Sequence, residues 1–136
     1  MRSLFIFIII FLIFVNKNIY AEIININPSE MKKLMMNNIP LIDIRREDEW
    51  KLTGVIKNSH LHTFFDRDGK YDFKNFVETI KKIENVDNGI ILFCRTGRRT
   101  TIIANALKKT EIFKKIYNTK GIKDWISENN KLIVYK

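Results

Sequence analysis

The sequence predicts an α/β fold in which a small parallel β-sheet is flanked by helices on both faces. Short apolar segments typical of buried strands alternate along the chain with segments whose apolar residues follow helical spacing. The clearest strand, at residues 90–93, is apolar at every position, as expected for a parallel strand covered on both faces. No Pro/Gly/Ser-rich linker or internal repeat divides residues 22–136, so we expect them to form one domain.

In the first half of the domain, strands and helices are predicted in turn. Pro28 and Ser29 open the first helix, with Ser29 as its cap or Pro28 in its first turn. A short acidic segment starts the second helix, and the spacing of Phe73, Phe76 and Ile80 predicts the third. The predicted strands are Ile23–Ile26, Leu41–Arg45 and Val55–His60, and the predicted helices run from Pro28 to Asn37, from Glu47 to Leu52 and from Phe73 to Ile83.

The second half continues the alternation. Strand Ile90–Phe93 leads into a helix over residues 99–109, whose apolar face is predicted to hold Ile102, Ile103, Ala106 and Leu107. The last predicted elements are a strand within Ile112–Tyr117, a helix from Gly121 to Glu128 and a terminal strand at Leu132–Val134. Because ligands of parallel sheets bind beyond the carboxyl ends of the strands, the residue after Phe93 lies where a site is expected.

That residue is Cys94, the only cysteine of the chain. It occupies a turn between a strand and the start of a helix, where unpaired N–H groups and the helix dipole favour negative charge. Arg95, Arg98 and Arg99 crowd this helix start, although a cation there costs roughly 0.3–1 kcal/mol. Because these groups should together stabilise a thiolate, we interpret Cys94 as a catalytic thiol rather than a buried structural cysteine.

The spacing of this loop is typical of one chemistry. Cys94 and Arg99 form C-x4-R, and the run from Cys94 to Thr100 reads C-R-T-G-R-R-T. It resembles the active-site loop C-R-x-G-x-R-[ST] of bacterial single-domain rhodaneses, the sulfurtransferase family. The related phosphatases use a longer C-x5-R loop, in which the sixth residue after the cysteine is arginine, whereas this chain has Thr100 there.

Other segments resemble the same family in the same order. Leu41–Arg45 is similar to the family's D-x-R strand, and the acidic segment from Glu47 to Trp50 is similar to the short helix that follows it. The segment from Gly54 to His60 resembles the G-H-I-x-G-A motif, but Val55 replaces the histidine and Asn58-Ser59 the Gly-Ala pair. Gly121–Trp125 resembles the closing G-G-x-x-x-W helix, with Lys120 in place of the first glycine.

The resemblance implies a rhodanese-like fold and a sulfurtransferase that carries a persulfide on Cys94, with no cofactor. It implies a small anionic donor such as thiosulfate and, since no second cysteine can resolve the persulfide, an external thiol or other nucleophile as acceptor. Two alternatives stay open: a non-catalytic sulfur-carrier or binding module, and a phosphatase or arsenate-reductase-like enzyme.

Roles follow from the positions in the loop. The backbone N–H groups from Arg95 through Thr96, Gly97 and Arg98 to Arg99 are expected to surround the terminal sulfur, with Gly97 allowing the tight turn. Arg99 matches the closing arginine of the family and is expected to stabilise the loop or the bound anion, whereas Arg95 and Arg98 orient the donor at the rim. Two residues outside the loop, Asp43 and Arg45, are expected to support it.

The amino terminus differs from the rest. Leu4 to Val15 is an unbroken apolar run behind Arg2, shorter than the ~20 residues of a membrane span but within the ~7–15 of a signal-peptide core. Ile19 and Ala21 occupy positions −3 and −1 of a cleavage site. We therefore interpret residues 1–21 as a secretory signal and expect a periplasmic or secreted protein without a stable membrane span; an uncleaved anchor is the alternative.

The distribution of charge and the pattern around the histidines argue against a nucleic-acid partner and against a metal site. The formal charge of +9 falls to +7 without Arg2 and Lys17, and because the lysines form dispersed pairs among acidic residues, no nucleic-acid partner is expected. His60 and His62 are spaced i, i+2, which in a strand would put both on one face, but they lack partners with metal-ligand spacing, so no metal is expected; either could act as a base for Cys94. Asp66-x-Asp68-Gly69 lacks the other ligands of a calcium loop and is predicted to be a turn.

Overall fold

The computed structural model describes residues 20–136 and contains one five-stranded sheet in the order β1-β5-β4-β2-β3. All its strand pairs are parallel, as predicted. The strands are β1 (Glu22–Ile26), β2 (Leu41–Asp43), β3 (His60–Leu61), β4 (Ile90–Phe93) and β5 (Lys115–Thr119). β4 therefore lies at the centre of the sheet, between β5 and β2.

Helices cover both faces of the sheet, which confirms the predicted architecture. They are α1 (Pro28–Met36), α2 (Glu47–Thr53), α3 (Phe73–Ile80), α4 (Arg98–Lys108) and α5 (Ile122–Ser127), with a 3₁₀ turn at Val86–Asn88. Buried residues of α3 and α4 pack on one face of the sheet, and those of α1 and α5 pack on the other.

The central strand belongs to both halves of the core. All four residues of β4 are at most 1% exposed; Ile90 and Leu92 face α3 and α4, whereas Ile91 and Phe93 face α1 and α5. This is the alternation of a strand covered on both sides, and each such side chain stabilises the fold by about 1.5–3 kcal/mol. The same alternation directs Cys94 to the α4 side of the sheet.

The cap of α1 differs from the prediction. Asn27, not Ser29, precedes the helix: its Oδ1 accepts the Glu30 N–H at 2.9 Å, and the Glu30 carboxylate accepts the Asn27 N–H at 2.8 Å. Pro28 is the first helical residue, as the alternative interpretation predicted. This reciprocal pair satisfies two N–H groups of the helix start, whereas a cap at Ser29 would have satisfied one.

The predicted strand Leu41–Arg45 ends two residues earlier, at Asp43, and three other predicted strands differ more in extent. Val55–His60 is interrupted by a turn in which Asn58 has φ +65°, so only β3 and an isolated bridge at Val55 remain. The strand predicted within Ile112–Tyr117 runs instead over Lys115–Thr119, after Glu111 at φ +56°. Leu132–Val134 contributes only the antiparallel bridge from Ile133 to Val55.

The predicted apolar face of the central helix is also partly wrong. Thr100, Ile103, Ala104 and Leu107 are buried on α4, but Ile102 is 54% exposed. The buried face is therefore rotated toward Thr100.

The predicted signal segment lies almost wholly outside the described residues. Of positions 1–21, the structure describes Tyr20 and Ala21, and Ala21 is 3% exposed within the core on the α4 side. Between residues 20 and 136, no helix is both long and apolar enough to cross a membrane.

Candidate active site

The candidate site is the loop between β4 and α4. Cys94 follows β4 directly and is 1% exposed, and its Sγ accepts the Gly97 N–H at 3.1 Å. The N–H groups at the first turn of α4 have no partner within the helix, so they remain available to an anion placed against the loop. The strand, loop and helix thus lie in the predicted order around the thiol.

The loop between β5 and α5, together with the first residues of α5, packs against the back of this one. The Cys94 carbonyl accepts the Ile122 N–H at 2.9 Å, and the Arg95 carbonyl accepts the Lys123 N–H at 3.3 Å. Gly97 has φ +84°, and a Cβ there would lie 2.8 Å from the Thr119 carbonyl oxygen. A Cβ on Gly121, which also has φ +84°, would overlap the Cys94 carbonyl oxygen and the carbonyl group of Arg95. Both glycines therefore allow the two loops to approach closely.

This contact leads to a first prediction. Gly121→Ala should lower the free energy of unfolding by at least about 2 kcal/mol, because it combines backbone strain with a clash against the Cys94 loop. Gly69→Ala is the matched control, since Gly69 has φ +77° but no atom lies within 4 Å of the position that its Cβ would take. Thermal unfolding of both variants measures the difference; equal losses would contradict the proposed packing constraint.

Thr100 is a contact of the thiol that sequence reasoning did not include among the site residues. It is fully buried, and its Oγ1 lies 3.8 Å from the Cys94 Sγ. The same hydroxyl donates to the Gly97 carbonyl at 2.9 Å. Thr100 therefore links the first turn of α4 to the loop and places a hydroxyl beside the sulfur.

Arg99 is held by a carboxylate from another helix. Its guanidinium donates to both oxygens of Glu49, at 2.8 and 2.7 Å, and the two side chains are 20% and 15% exposed. Burial raises the pKa of Glu49, but the hydrogen bonds from Arg99 and from the Arg46 backbone outweigh it, so the net pKa is lowered. The same hydrogen bonds raise the pKa of Arg99, although burial of the guanidinium opposes this shift. Glu49, on α2, was not predicted as a site residue.

The Glu49–Arg99 pair leads to a prediction about pH. Because the Glu49 pKa is lowered on folding from its ordinary value of 4.5, its contribution to stability is complete above that value and disappears as the pH falls through the folded pKa. Glu49→Gln should therefore cost about 1–3 kcal/mol at pH 7, and the gap to the wild type should shrink as the pH falls below 4.5. Chemical denaturation of both proteins from pH 7 to 3 measures this gap; a gap that is absent at pH 7 or grows toward acid would contradict it.

Asp43 and Arg45 form a fully buried ion pair at the carboxyl end of β2. The Arg45 guanidinium donates to both Asp43 oxygens, at 2.9 and 2.6 Å, and also to the Thr53 hydroxyl and the Gly54 carbonyl at the end of α2. Its central carbon lies 5.7 Å from the ring centroid of Phe93, the residue before Cys94. The pair joins β2, the end of α2 and the strand that carries the thiol.

Arg95, Thr96 and Arg98 lie on the surface, at the rim of the loop. They line a cleft of about 650 Å³ together with Arg99 and with side chains from other parts of the chain: Arg46, Glu49, Phe65, Asp66, Arg67, Ile102 and Lys123. The structure thus brings the loop arginines to one opening, in which cations outnumber acidic side chains.

The histidines lie at the edge of the sheet. His60, in β3, pairs with Ile42 of β2, and the His62 N–H donates to the Asp43 carbonyl at 3.0 Å. Burial, with a smaller effect from His60, lowers the pKa of His62, which favours its neutral form. Within residues 20–136, no group of three or more His, Cys, Asp and Glu side chains is placed to hold a metal ion.

The Asp66–Gly69 segment is a turn, as predicted. The Asp66 Oδ1 accepts the N–H groups of Asp68 and Lys70 at 2.9 and 2.8 Å, and Gly69 adopts a positive φ. The carboxylate is therefore occupied by its own backbone, as is typical of an Asx turn.

Comparison with known proteins identifies relatives of this chain and of its fold. A family model described as Rhodanese-like domain matches residues 27–128. A curated protein of Rickettsia prowazekii (strain Madrid E), Uncharacterized protein RP600, is 32% identical over 100 residues, which cover 71% of this chain and 76% of that protein. The crystal structure of a rhodanese-related protein from Thermoplasma volcanium has a TM-score of 0.62 at 20% identity, covering 82% of this chain and 99% of the other. The polysulfide-sulfur transferase homodimer of Wolinella succinogenes has a TM-score of 0.60 at 25% identity, covering 86% and 82%.

Proposed function

The chain belongs to the rhodanese-like domain family, and from this premise we propose that it is a sulfurtransferase whose sulfur carrier is Cys94. The observation that supports this most strongly is the C-x4-R loop, in which the Cys94 Sγ accepts the Gly97 N–H at 3.1 Å at the amino end of α4. The similarity to the polysulfide-sulfur transferase of Wolinella succinogenes favours the same class of reaction.

The reaction proceeds by double displacement. The Cys94 thiolate attacks the outer sulfur of a donor such as thiosulfate; the sulfur–sulfur bond of the donor breaks, and sulfite leaves with the electron pair. The persulfide on Cys94 then loses its outer sulfur to a nucleophile, and its electron pair returns to the cysteine. Such covalent catalysis gives ping-pong kinetics.

The chain's own groups fit the anionic species of this cycle. The Gly97 N–H already contacts the sulfur, and the N–H groups at the first turn of α4 can donate hydrogen bonds to a second sulfur in the loop. The exposed Arg95 and Arg98 suit the attraction of a small dianion to the rim. In this proposal Arg99, held by Glu49, stabilises the loop, and Asp43 with Arg45 supports the strand that precedes it.

A thiosulfate:cyanide assay tests the enzyme against the carrier alternative. If the protein is an enzyme, it should turn over steadily with ping-pong kinetics. Negligible turnover by protein with an intact, reduced Cys94 would favour a carrier that serves a dedicated partner.

We also propose that the protein is exported by its amino-terminal segment. The apolar run Leu4 to Val15 and the Ala21 position support this proposal. Intact mass spectrometry of protein from the exported fraction should show a chain that starts at Glu22. A retained Met1 would overturn the cleavage, and protein found only in the cytoplasm would overturn the export.

A further inference from the structure

The cleft lined by the loop that follows Cys94 holds more cationic than acidic side chains. We name the basic cleft as the surface formed by Phe65, Arg67, Arg95, Arg98, Ile102 and Lys123. Among residues 20–136, Arg95, Arg98 and Lys123 form no ion pair, whereas Arg67 lies 3.6 Å from an Asp48 oxygen.

The acidic side chains that border this cleft are already engaged. Glu49 is bound by both nitrogens of the Arg99 fork, and one Asp66 oxygen accepts two backbone N–H groups of its own turn. Glu49 is paired with Arg99, and Asp66 carries a single charge, so the two carboxylates of the cleft cannot balance all three exposed cations. Positive charge is therefore left for a partner from solution.

The basic cleft also exposes apolar surface. Ile102 is 54% exposed and lies four residues after Arg98 on α4, so both side chains are on the same face of the helix. Phe65 is half-buried, and its ring packs edge-on against Phe64 with centroids 4.7 Å apart. A small inorganic donor needs no apolar contact, so these residues favour a larger partner that combines negative charge with apolar side chains.

The depth of the sulfur limits the shape of that partner. Because Cys94 is 1% exposed at the base of the loop, a thiol on a rigid, flat protein surface cannot reach it without rearrangement. A thiol on a flexible segment can enter the cleft, while the flanking residues of the segment contact its basic and apolar rim.

We propose that the basic cleft binds an acidic, flexible, cysteine-bearing segment of a partner protein that accepts the sulfur. This inference rests on the proposed function and identifies its acceptor. The acceptor thiolate bonds to the outer sulfur of the Cys94 persulfide, the bond between that sulfur and Sγ breaks, and its electron pair returns to Cys94. The proton that the acceptor thiol lost on becoming a thiolate is available to the regenerated Cys94 thiolate, so charge and protons balance. No oxidant or reductant is consumed.

Synthetic cysteine peptides test the charge requirement. The protein is loaded with thiosulfate, freed of excess donor and mixed with one of two peptides, in which a single cysteine and a leucine are flanked either by Asp and Glu or by Lys. The acidic peptide should acquire sulfur at least about tenfold faster, and this advantage should fall steeply with added salt, because screening weakens steering between exposed charges. Equal rates for the two peptides, or an advantage that ignores salt, would overturn the proposal.

A matched pair of variants tests the apolar contact. Ile102→Ser should slow transfer to the acidic peptide about fivefold, because it removes an apolar contact of the cleft. Ile112→Ser is the control: Ile112 is 40% exposed but follows the far end of α4, and its replacement should leave the peptide rate unchanged. Equal effects of the two variants would contradict the inference.

Thiosulfate:cyanide turnover separates the two levels of the proposal. Both variants should retain the wild-type turnover, because cyanide needs no contact with Ile102. If the wild type transfers sulfur to cyanide but not to the acidic peptide, the acceptor inference fails and the sulfurtransferase stands. If the wild type does not transfer sulfur to cyanide and no peptide is sulfurated, both fail.

Discussion

Replacement of Cys94 by serine should abolish sulfur transfer from thiosulfate to cyanide. Serine is nearly the same size and can keep the hydrogen bond from Gly97, so the loop should stay folded. A serine hydroxyl, however, is a far weaker nucleophile than a thiolate and forms no persulfide. Because all catalysis in this mechanism passes through one sulfur, we expect turnover to fall by a factor of at least about 10³.

The control for this variant is its stability. Cys94 is buried in the core on the α4 side, so a general loss of fold could mimic a loss of chemistry. Thermal unfolding of Cys94→Ser should show a change of less than about 2 kcal/mol, typical of a small substitution at one buried site. A folded Cys94→Ser protein that still transfers sulfur would place the chemistry elsewhere.

Arg99→Ala should produce the second-largest effect, a loss of about 10²-fold in kcat/KM for thiosulfate. The variant removes a cation at the loop and leaves Glu49, at 15% exposure, without its bidentate partner. The Glu49 carboxylate, left with its contacts to Arg46 alone, should then oppose the anionic donor, and the contact between α2 and α4 should loosen.

Arg95→Ala is the matched comparison. Arg95 is exposed and forms no ion pair within residues 20–136, so its loss should weaken donor attraction by only about tenfold and should be partly hidden by salt. Steady-state kinetics of both variants measure these values. Full turnover in Arg99→Ala together with loss of turnover in Arg95→Ala would reverse the assignment of the two arginines.

Local patterns were sufficient to predict the element that carries the thiol. The apolar run of β4, the Arg-rich turn and the helical spacing after it lie within a few residues of one another, and the structure has them at nearly the predicted positions. The parallel sheet with helices on both faces follows from the same alternation repeated along the chain.

Long-range partners could not be predicted in this way. Glu49 lies fifty residues before Arg99, and an acidic residue in the first turn of a helix already has a local reason to be there. Nothing in the sequence pattern distinguishes it from Glu47, which pairs with Lys51 on the same helix. Thr100 ends the run that resembles C-R-x-G-x-R-[ST], but the pattern assigns it no role, and only the structure shows its hydroxyl 3.8 Å from the sulfur.

The strand β5, which precedes α5, shows why a prediction from apolar content alone placed a strand too early in the chain. β5 ends in Asn118 and Thr119, which are polar but only 9% and 5% exposed. Asn118 donates to Asn25 and Thr101, and Thr119 donates to the Leu92 carbonyl at 2.9 Å. The end of β5 therefore packs against the Cys94 loop and the start of α4, through Thr119 beside Gly97 and Asn118 beside Thr101. The strand departs from the apolar pattern where it supports the site.

The central claim is that Cys94 carries the transferred sulfur, and intact mass spectrometry tests it most directly. The purified protein is measured before thiosulfate, after thiosulfate and after a subsequent exposure to cyanide, in parallel with Cys94→Ser. We predict that the wild type gains the mass of one sulfur atom and loses it to cyanide, and that the variant gains none. A wild-type mass that thiosulfate leaves unchanged, or a gain that persists in Cys94→Ser, would contradict the account.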